Sequence, residues 1–150
     1  MPGERYLLDS NILIRWVQHQ DPDALIVETA LEYLLLANAD PCYASQNLGE
    51  FWNAMTRPVN RNGYGLSPDE ADKRAAEFEV AFQLLPDSPA IHQEWRRLLV
   101  DYRISGVQVH DARLVAAMRV HGVQRILTFN TRDFARYTEI EAVHPAKLAS

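Results

Sequence analysis

The sequence predicts an α/β domain, on three observations. Short apolar runs that suit buried strands recur at residues 6–8, 41–44, 84–86, 124–129 and 140–143. Helical stretches with apolar residues at three- and four-residue spacing lie between them, the alternation from which layered α/β folds are built. The 150 residues contain no repeat, low-complexity tract or linker, so residues 1–150 form one domain with a sizeable core.

The first unit sets the pattern. Tyr6-Leu7-Leu8 reads as a strand and Asp9 follows at its carboxyl end. Ser10 and Asn11 are helix-capping residue types, and 12–17 continues as a helix. Ligands of parallel α/β sheets sit outside the carboxyl ends of the strands, which is where Asp9 falls. A plain capping role for Asp9 is the competing reading.

Asp21-Pro22-Asp23 separates a second helix, about 23–38, whose spacing assigns Leu25, Ile26, Thr29, Ala30, Tyr33, Leu34 and Ala37 to the core. After the strand at 41–44, Ser45 caps a third helix with Leu48, Phe51, Trp52 and Met55 as its core stripe. Glu50 lies off that stripe, with Asn47, Ala54 and Arg57, small or polar neighbours that leave room for a ligand. A solvated Glu50 paired with Arg57 is the plainer alternative. The long loop 57–68 carries Arg57, Arg61 and Tyr64, groups suited to phosphate contact and base stacking, and equally to an ordinary connection. Ser67-Pro68-Asp69-Glu70 and Ser88-Pro89 start two further helices. The second of them turns Ile91, Trp95, Leu98 and Leu99 inward.

A helix over 112–120 stops at His121-Gly122, with Leu114, Val115 and Met118 inward and Asp111 on the same side in its first turn. The strand at 124–129 precedes Asn130-Thr131-Arg132-Asp133, a second strand-then-acid layout, and 132–137 reads as one helical turn. A last strand at 140–143 gives way to a frayed tail at Pro145.

Composition narrows the function. Apolar content of 47% and charged content of 23% are those of a soluble globule. A net charge of -5 argues against tight nonspecific nucleic-acid binding by the lone chain, and favours a basic partner or a site whose acids await metal. Arg outnumbers Lys thirteen to two. This suits bidentate phosphate contacts, although genomic base composition produces the same skew. A single cysteine, Cys42, excludes an internal disulfide and suits a reducing compartment. The five His are scattered, which argues against zinc. The first apolar run is broken by Asp9 and Arg15, unlike a secretory signal, and 31–37 is too short to span a bilayer. A cytoplasmic protein is expected.

Of 20 acidic residues, Asp9, Glu50, Asp111 and Asp133 stand apart from the outward polar settings, and all can reach one crevice at the strand ends. Clustered carboxylates repel unless a cation neutralises them. A cluster with only oxygen ligands selects Mg²⁺ or Mn²⁺, ions that activate water and stabilise displacement at phosphorus.

Four segments, Leu8-Asp9-Ser10-Asn11-Ile12-Leu13, Asn47-Leu48-Gly49-Glu50-Phe51, His110-Asp111-Ala112-Arg113-Leu114 and Thr128-Phe129-Asn130-Thr131-Arg132-Asp133-Phe134, resemble in order and spacing the PIN-domain nucleases. The likeness is strongest to VapC-type toxins of prokaryotic toxin–antitoxin pairs. It implies a three-layer α/β/α fold around a parallel sheet of about five strands. It also implies a metal site at Asp9, Glu50 and Asp111. Asp133 is assigned as the fourth acid, with Asn130 the competing match to that position. Asn11, Asn130 and Thr128 would line the site, and Arg57, Arg61 or Arg113 would position the substrate. The resemblance further implies Mg²⁺- or Mn²⁺-dependent endoribonuclease activity, a cognate antitoxin blocking the acids, and a homodimer. Two rivals remain. A haloacid-dehalogenase-like phosphatase using Asp9 lacks a second acid at Asn11 and a suitably placed lysine, since neither Lys73 nor Lys147 lies near a matching motif. A non-catalytic module could use the acids to hold a basic peptide.

Overall fold

The structure is a computed structural model and describes residues 3–149. Five strands form one wholly parallel sheet: β1 (Arg5–Leu8), β2 (Asp40–Ala44), β3 (Gln83–Leu85), β4 (Arg125–Leu127) and β5 (Glu141–Val143), in the order β3-β2-β1-β4-β5. The chain builds outward from β1 through β2 to β3, then returns to lay β4 on β1's other side. That reversal opens a crevice at the carboxyl ends of β1 and β4.

Eight helices flank the sheet among the described residues: α1 (Ser10–Val17), α2 (Ala24–Leu36), α3 (Ser45–Thr56), α4 (Pro68–Ala81), α5 (Pro89–Asp101), α6 (Val109–His121), α7 (Thr131–Phe134) and α8 (Pro145–Ala149). Successive residues of β1 serve opposite faces. Tyr6 and Leu8 enter a core with Ile12, Val27, Phe51 and Phe78 of α1 to α4. Leu7 enters a second core with Ile91, Leu98, Val115 and Met118 of α5 and α6. Covering both faces is what makes the strands continuously apolar. The predicted α/β/α architecture is therefore the observed one. None of the described helices is long and apolar enough to cross a membrane.

Several local expectations are corrected. The buried face of α2 is Ala24, Val27, Ala30, Leu31 and Leu34, whereas Leu25 is 71% and Tyr33 51% exposed. This helix is apolar on nearly every side, so more than one stripe satisfies helical spacing, and packing on α1 and α8 selects among them. In α3 the buried residues are Asn47, Phe51, Ala54 and Met55, with Leu48 and Trp52 only at the core's margin. The helix is rotated so that the side bearing Asn47 and Ala54 also faces inward. The tail from Pro145 is not frayed but forms α8 against α2. Strand β4 ends at Leu127, and α6 begins at Val109 with Asp111 in its first turn, as expected.

Candidate active site

Asp9 ends β1 and caps α1, its Oδ1 accepting the Ser10 N–H at 2.8 Å. The capping role and a site role are thus combined, because the second oxygen faces the crevice. Asp9 Oδ2 accepts the Thr128 hydroxyl at 2.7 Å and the Asn11 amide at 3.4 Å. The Asp9 N–H donates to the Leu127 carbonyl, tying the end of β1 to the end of β4. Thr128 is fully buried, and its Oγ1 accepts the Asn11 amide at 3.3 Å and the Asn130 N–H at 3.0 Å. Asn11 Oδ1 takes the Phe129 N–H at 3.3 Å. The three residues expected to line the site therefore form one hydrogen-bonded cradle, to which Asn130 contributes its main chain.

Glu50 is brought in from α3. Its Oε1 accepts the Ser10 hydroxyl at 2.6 Å. Asn47, at 0% exposure, donates through Nδ2 to that same hydroxyl at 3.3 Å and accepts the Ala44 N–H through Oδ1 at 2.8 Å. A relay thus runs from the end of β2 through Asn47 and Ser10 to Glu50. Sequence reasoning treated Ser10 only as a cap and Asn47 only as a neighbour on the helix. The available signal was an amide three residues past the end of a strand and three before the acid. Ser10→Ala should leave the Asn47 amide buried without its acceptor and lower stability by about 1–3 kcal/mol, read as a drop in the urea midpoint.

Asp111 lies in the first turn of α6 and Asp133 in α7. The electrostatics bind the four acids into one region. Burial pushes the Asp9 carboxyl up to about 6; the Thr128 and Ser10 hydrogen bonds oppose this, and the charges of Glu50 and Asp133 add to it. Burial likewise raises Asp111 to about 6, reinforced by Asp9, Asp133 and Glu50, with His110 opposing. Four carboxylates from four separate elements therefore repel one another across one crevice. Their donor set is all oxygen, which suits a hard divalent ion. Among the described residues no three Asp, Glu, His or Cys side chains stand close enough together to ligate one ion.

Two of the three arginines expected to bind substrate make contacts within the fold. Arg57 closes its own loop, Nη2 donating to the Asn62 carbonyl at 2.9 Å. Arg113 lies 5.9 Å over Trp95 and reaches Gln46 and Asp87, each at 3.4 Å. Arg61 is exposed on a short 3-10 turn (Val59–Arg61). A cavity of about 420 Å³ lined by Glu4, Arg5, Asp40, Gln83 and Arg125 lies at the strands' amino ends, opposite the acids. Arg125 there is paired with Glu4 and Glu141.

Comparison with known proteins is consistent with this geometry. The PIN domain family model matches residues 6–140. No curated protein sequence matches the chain. Among solved structures, VapBC2 from Rickettsia felis bound to a promoter DNA fragment aligns with TM-score 0.70 at 15% identity, covering 93% of this chain and 98% of that one. A toxin–antitoxin complex from Klebsiella pneumoniae aligns with TM-score 0.63 at 21% identity, covering 93% and 97%. The sarcin–ricin loop cleaving toxin VapC20 of Mycobacterium tuberculosis aligns with TM-score 0.63 at 16% identity, covering 88% and 95%. At these identities the likeness is one of fold.

Proposed function

This chain belongs to the PIN domain family, and from that premise we propose that it is a Mg²⁺- or Mn²⁺-dependent endoribonuclease, the toxin of a VapBC-type toxin–antitoxin pair acting in the cytoplasm. One observation carries the reading. Asp9 at the end of β1, Glu50 of α3, Asp111 of α6 and Asp133 of α7 lie within electrostatic reach of one another: burial raises the Asp9 and Asp111 carboxyls, and the charges of the neighbouring acids add to it. Such an arrangement is unfavourable until a cation balances it.

The four acids would hold the ion, with Asp9 the most buried of them and Asp133 exposed. When bound, the metal supplies Lewis acidity toward water and neutralises charge on the phosphodiester. The residues around it do the positioning. Thr128 and Asn11 fix the direction of the Asp9 oxygens, and the Ser10–Asn47 relay fixes Glu50. Their own hydrogen bonds are satisfied within the fold, so Asp9 and Glu50 keep their orientation without having to be ordered on binding.

A cognate antitoxin and a homodimer complete the proposal. The solved structures that share the fold include a VapBC complex and a toxin–antitoxin complex, which supports a partner, and a net charge of -5 suits a basic one. Cleavage of RNA by the purified chain should cease in EDTA, return with added Mg²⁺ or Mn²⁺, and be absent in Asp111→Asn. Cleavage that persists in EDTA would reject the metal mechanism. A folded protein that turns over no RNA with any metal would favour the binding-module alternative.

A further inference from the structure

The four acids repel the very backbone they are proposed to cut, so a cation at the rim of the crevice is needed to hold an RNA strand. Of the three arginines first considered, Arg57 and Arg113 make contacts within the fold and Arg61 is exposed on its turn; a fourth, Arg15, is tied to Asn11, the residue whose amide touches Asp9. Arg15 follows Asn11 by one turn of α1, and its Nη1 donates to the Asn11 carbonyl at 3.0 Å. Its guanidinium lies 4.8 Å above the Phe129 ring, which packs edge-on against His144 at 5.2 Å. The Phe129 N–H is held by the Asn11 side chain, whose amide touches Asp9. Arg15, Phe129 and Asn11 thus close a ring of contacts, and Asn11 links it to Asp9.

The side chain is 29% exposed and is oriented from behind. Asp21 and Asp23 stand 3.7 and 3.5 Å from Nε, which is buried and makes no hydrogen bond. Nη2 has no hydrogen-bond partner among the described residues. A guanidinium stacked in advance has lost its rotamer freedom before any ligand arrives, and its planar fork matches the oxygens of a phosphate. We propose that Arg15, braced on Phe129, grips a backbone phosphate of the RNA strand beside the point of cleavage. The inference rests on the ribonuclease reading, and Arg15 would act on a phosphate rather than read a base.

The test uses Asp111→Asn as a non-cleaving parent with Mg²⁺ present. The probe is a fluorescein-labelled single-stranded RNA of random sequence, about twelve nucleotides long, with anisotropy read over a range of KCl concentrations. Arg15→Gln should weaken binding about five- to ten-fold and reduce the log–log salt slope by about 0.7, the loss of one phosphate contact to a single strand. Arg15→Lys should keep the slope. Phe129→Leu should weaken binding with the slope unchanged. An Arg15→Gln variant that melts lower but keeps the parent's affinity and slope has lost only a structural contact, and that result overturns the proposal. So does a parent that binds no RNA. Failure of the ribonuclease reading is separately visible: the unmutated chain would cleave no RNA while the Arg15-dependent slope persisted.

Discussion

Asp9→Asn should abolish RNA cleavage, by about 10³-fold or more, and at the same time raise the melting temperature of the metal-free protein at neutral pH. The two effects share one cause. Asn preserves the size of the side chain and the bond from the Ser10 N–H and removes the charge, while setting an NH2 donor where Oδ2 accepts the Thr128 hydroxyl and the Asn11 amide. That charge is what an ion requires, and it is also what the empty fold resists. In the folded chain the Asp9 carboxyl titrates at about 6, against an ordinary value of 3.8, chiefly through burial. An acid whose folded value is raised binds its proton more tightly folded than unfolded. Its stability contribution is therefore complete below about pH 4 and is lost as pH rises through about 6. At pH 7 the two units or so correspond to at most about 3 kcal/mol, which the uncharged amide recovers in part. For a chain of this size that is a rise of about 2–8 °C. Calorimetry in EDTA from pH 7.5 to pH 5 should show wild type gaining on the variant as pH falls. Addition of Mg²⁺ at pH 7.5 should raise wild type and leave the variant unmoved. An Asp9→Asn protein that melts at or below wild type at neutral pH without metal would contradict the strain attributed to this carboxylate.

The parts of this molecule legible from sequence were those encoded locally. A strand covered on both faces is apolar along its whole length, so Tyr6-Leu7-Leu8 and Arg125-Ile126-Leu127 announce themselves, and the acid just beyond each strand follows from chain order alone. The Ser67–Glu70 capping pair marked the start of α4 within one residue. Long-range choices were not legible. The residues 24–36 are too uniformly apolar to select a face, and that choice belongs to α8, more than a hundred residues later. Asn47 is polar and reads as surface until the fold places Ser10 beside it, with 37 positions separating the two. Arg15 reads as a solvated helix residue until Phe129 arrives beneath it. The partners of Arg57 and Arg113 are not legible because the carbonyl, amide and carboxylate that meet them come from loop closure, from α3 and from the loop after β3. The acids could be nominated one at a time, but only the order β3-β2-β1-β4-β5 makes them neighbours.

Phe51→Ala should be the most destabilising single truncation near the site, at about 3–5 kcal/mol. Phe51 is fully buried one residue after Glu50, and its ring meets Phe78 edge-on at 5.0 Å. Phe78 in turn meets Tyr43 edge-on at 5.1 Å, so the three rings link α3 to α4 and to β2. Removing the Phe51 end of this series leaves a cavity among packed neighbours, and the lost Phe51–Phe78 pair adds about 0.5–1.5 kcal/mol beyond its buried area. A domain with about 5–15 kcal/mol of total stability would lose a large fraction of it. Urea unfolding should show a lower midpoint with an unchanged slope, and at 25 °C the variant should remain mostly folded. Its consequence for function runs through the backbone. The seat of α3 on the core sets the height at which Glu50 meets the Ser10 hydroxyl. The variant should therefore cleave more slowly and need more Mg²⁺ for half-maximal rate even where circular dichroism reports full folding. Phe51→Leu, which refills most of the volume, should restore the metal requirement before it restores the full stability. A Phe51→Ala protein with wild-type Mg²⁺ dependence would mean that Glu50 is held by the Ser10–Asn47 relay alone, independent of the core beneath it.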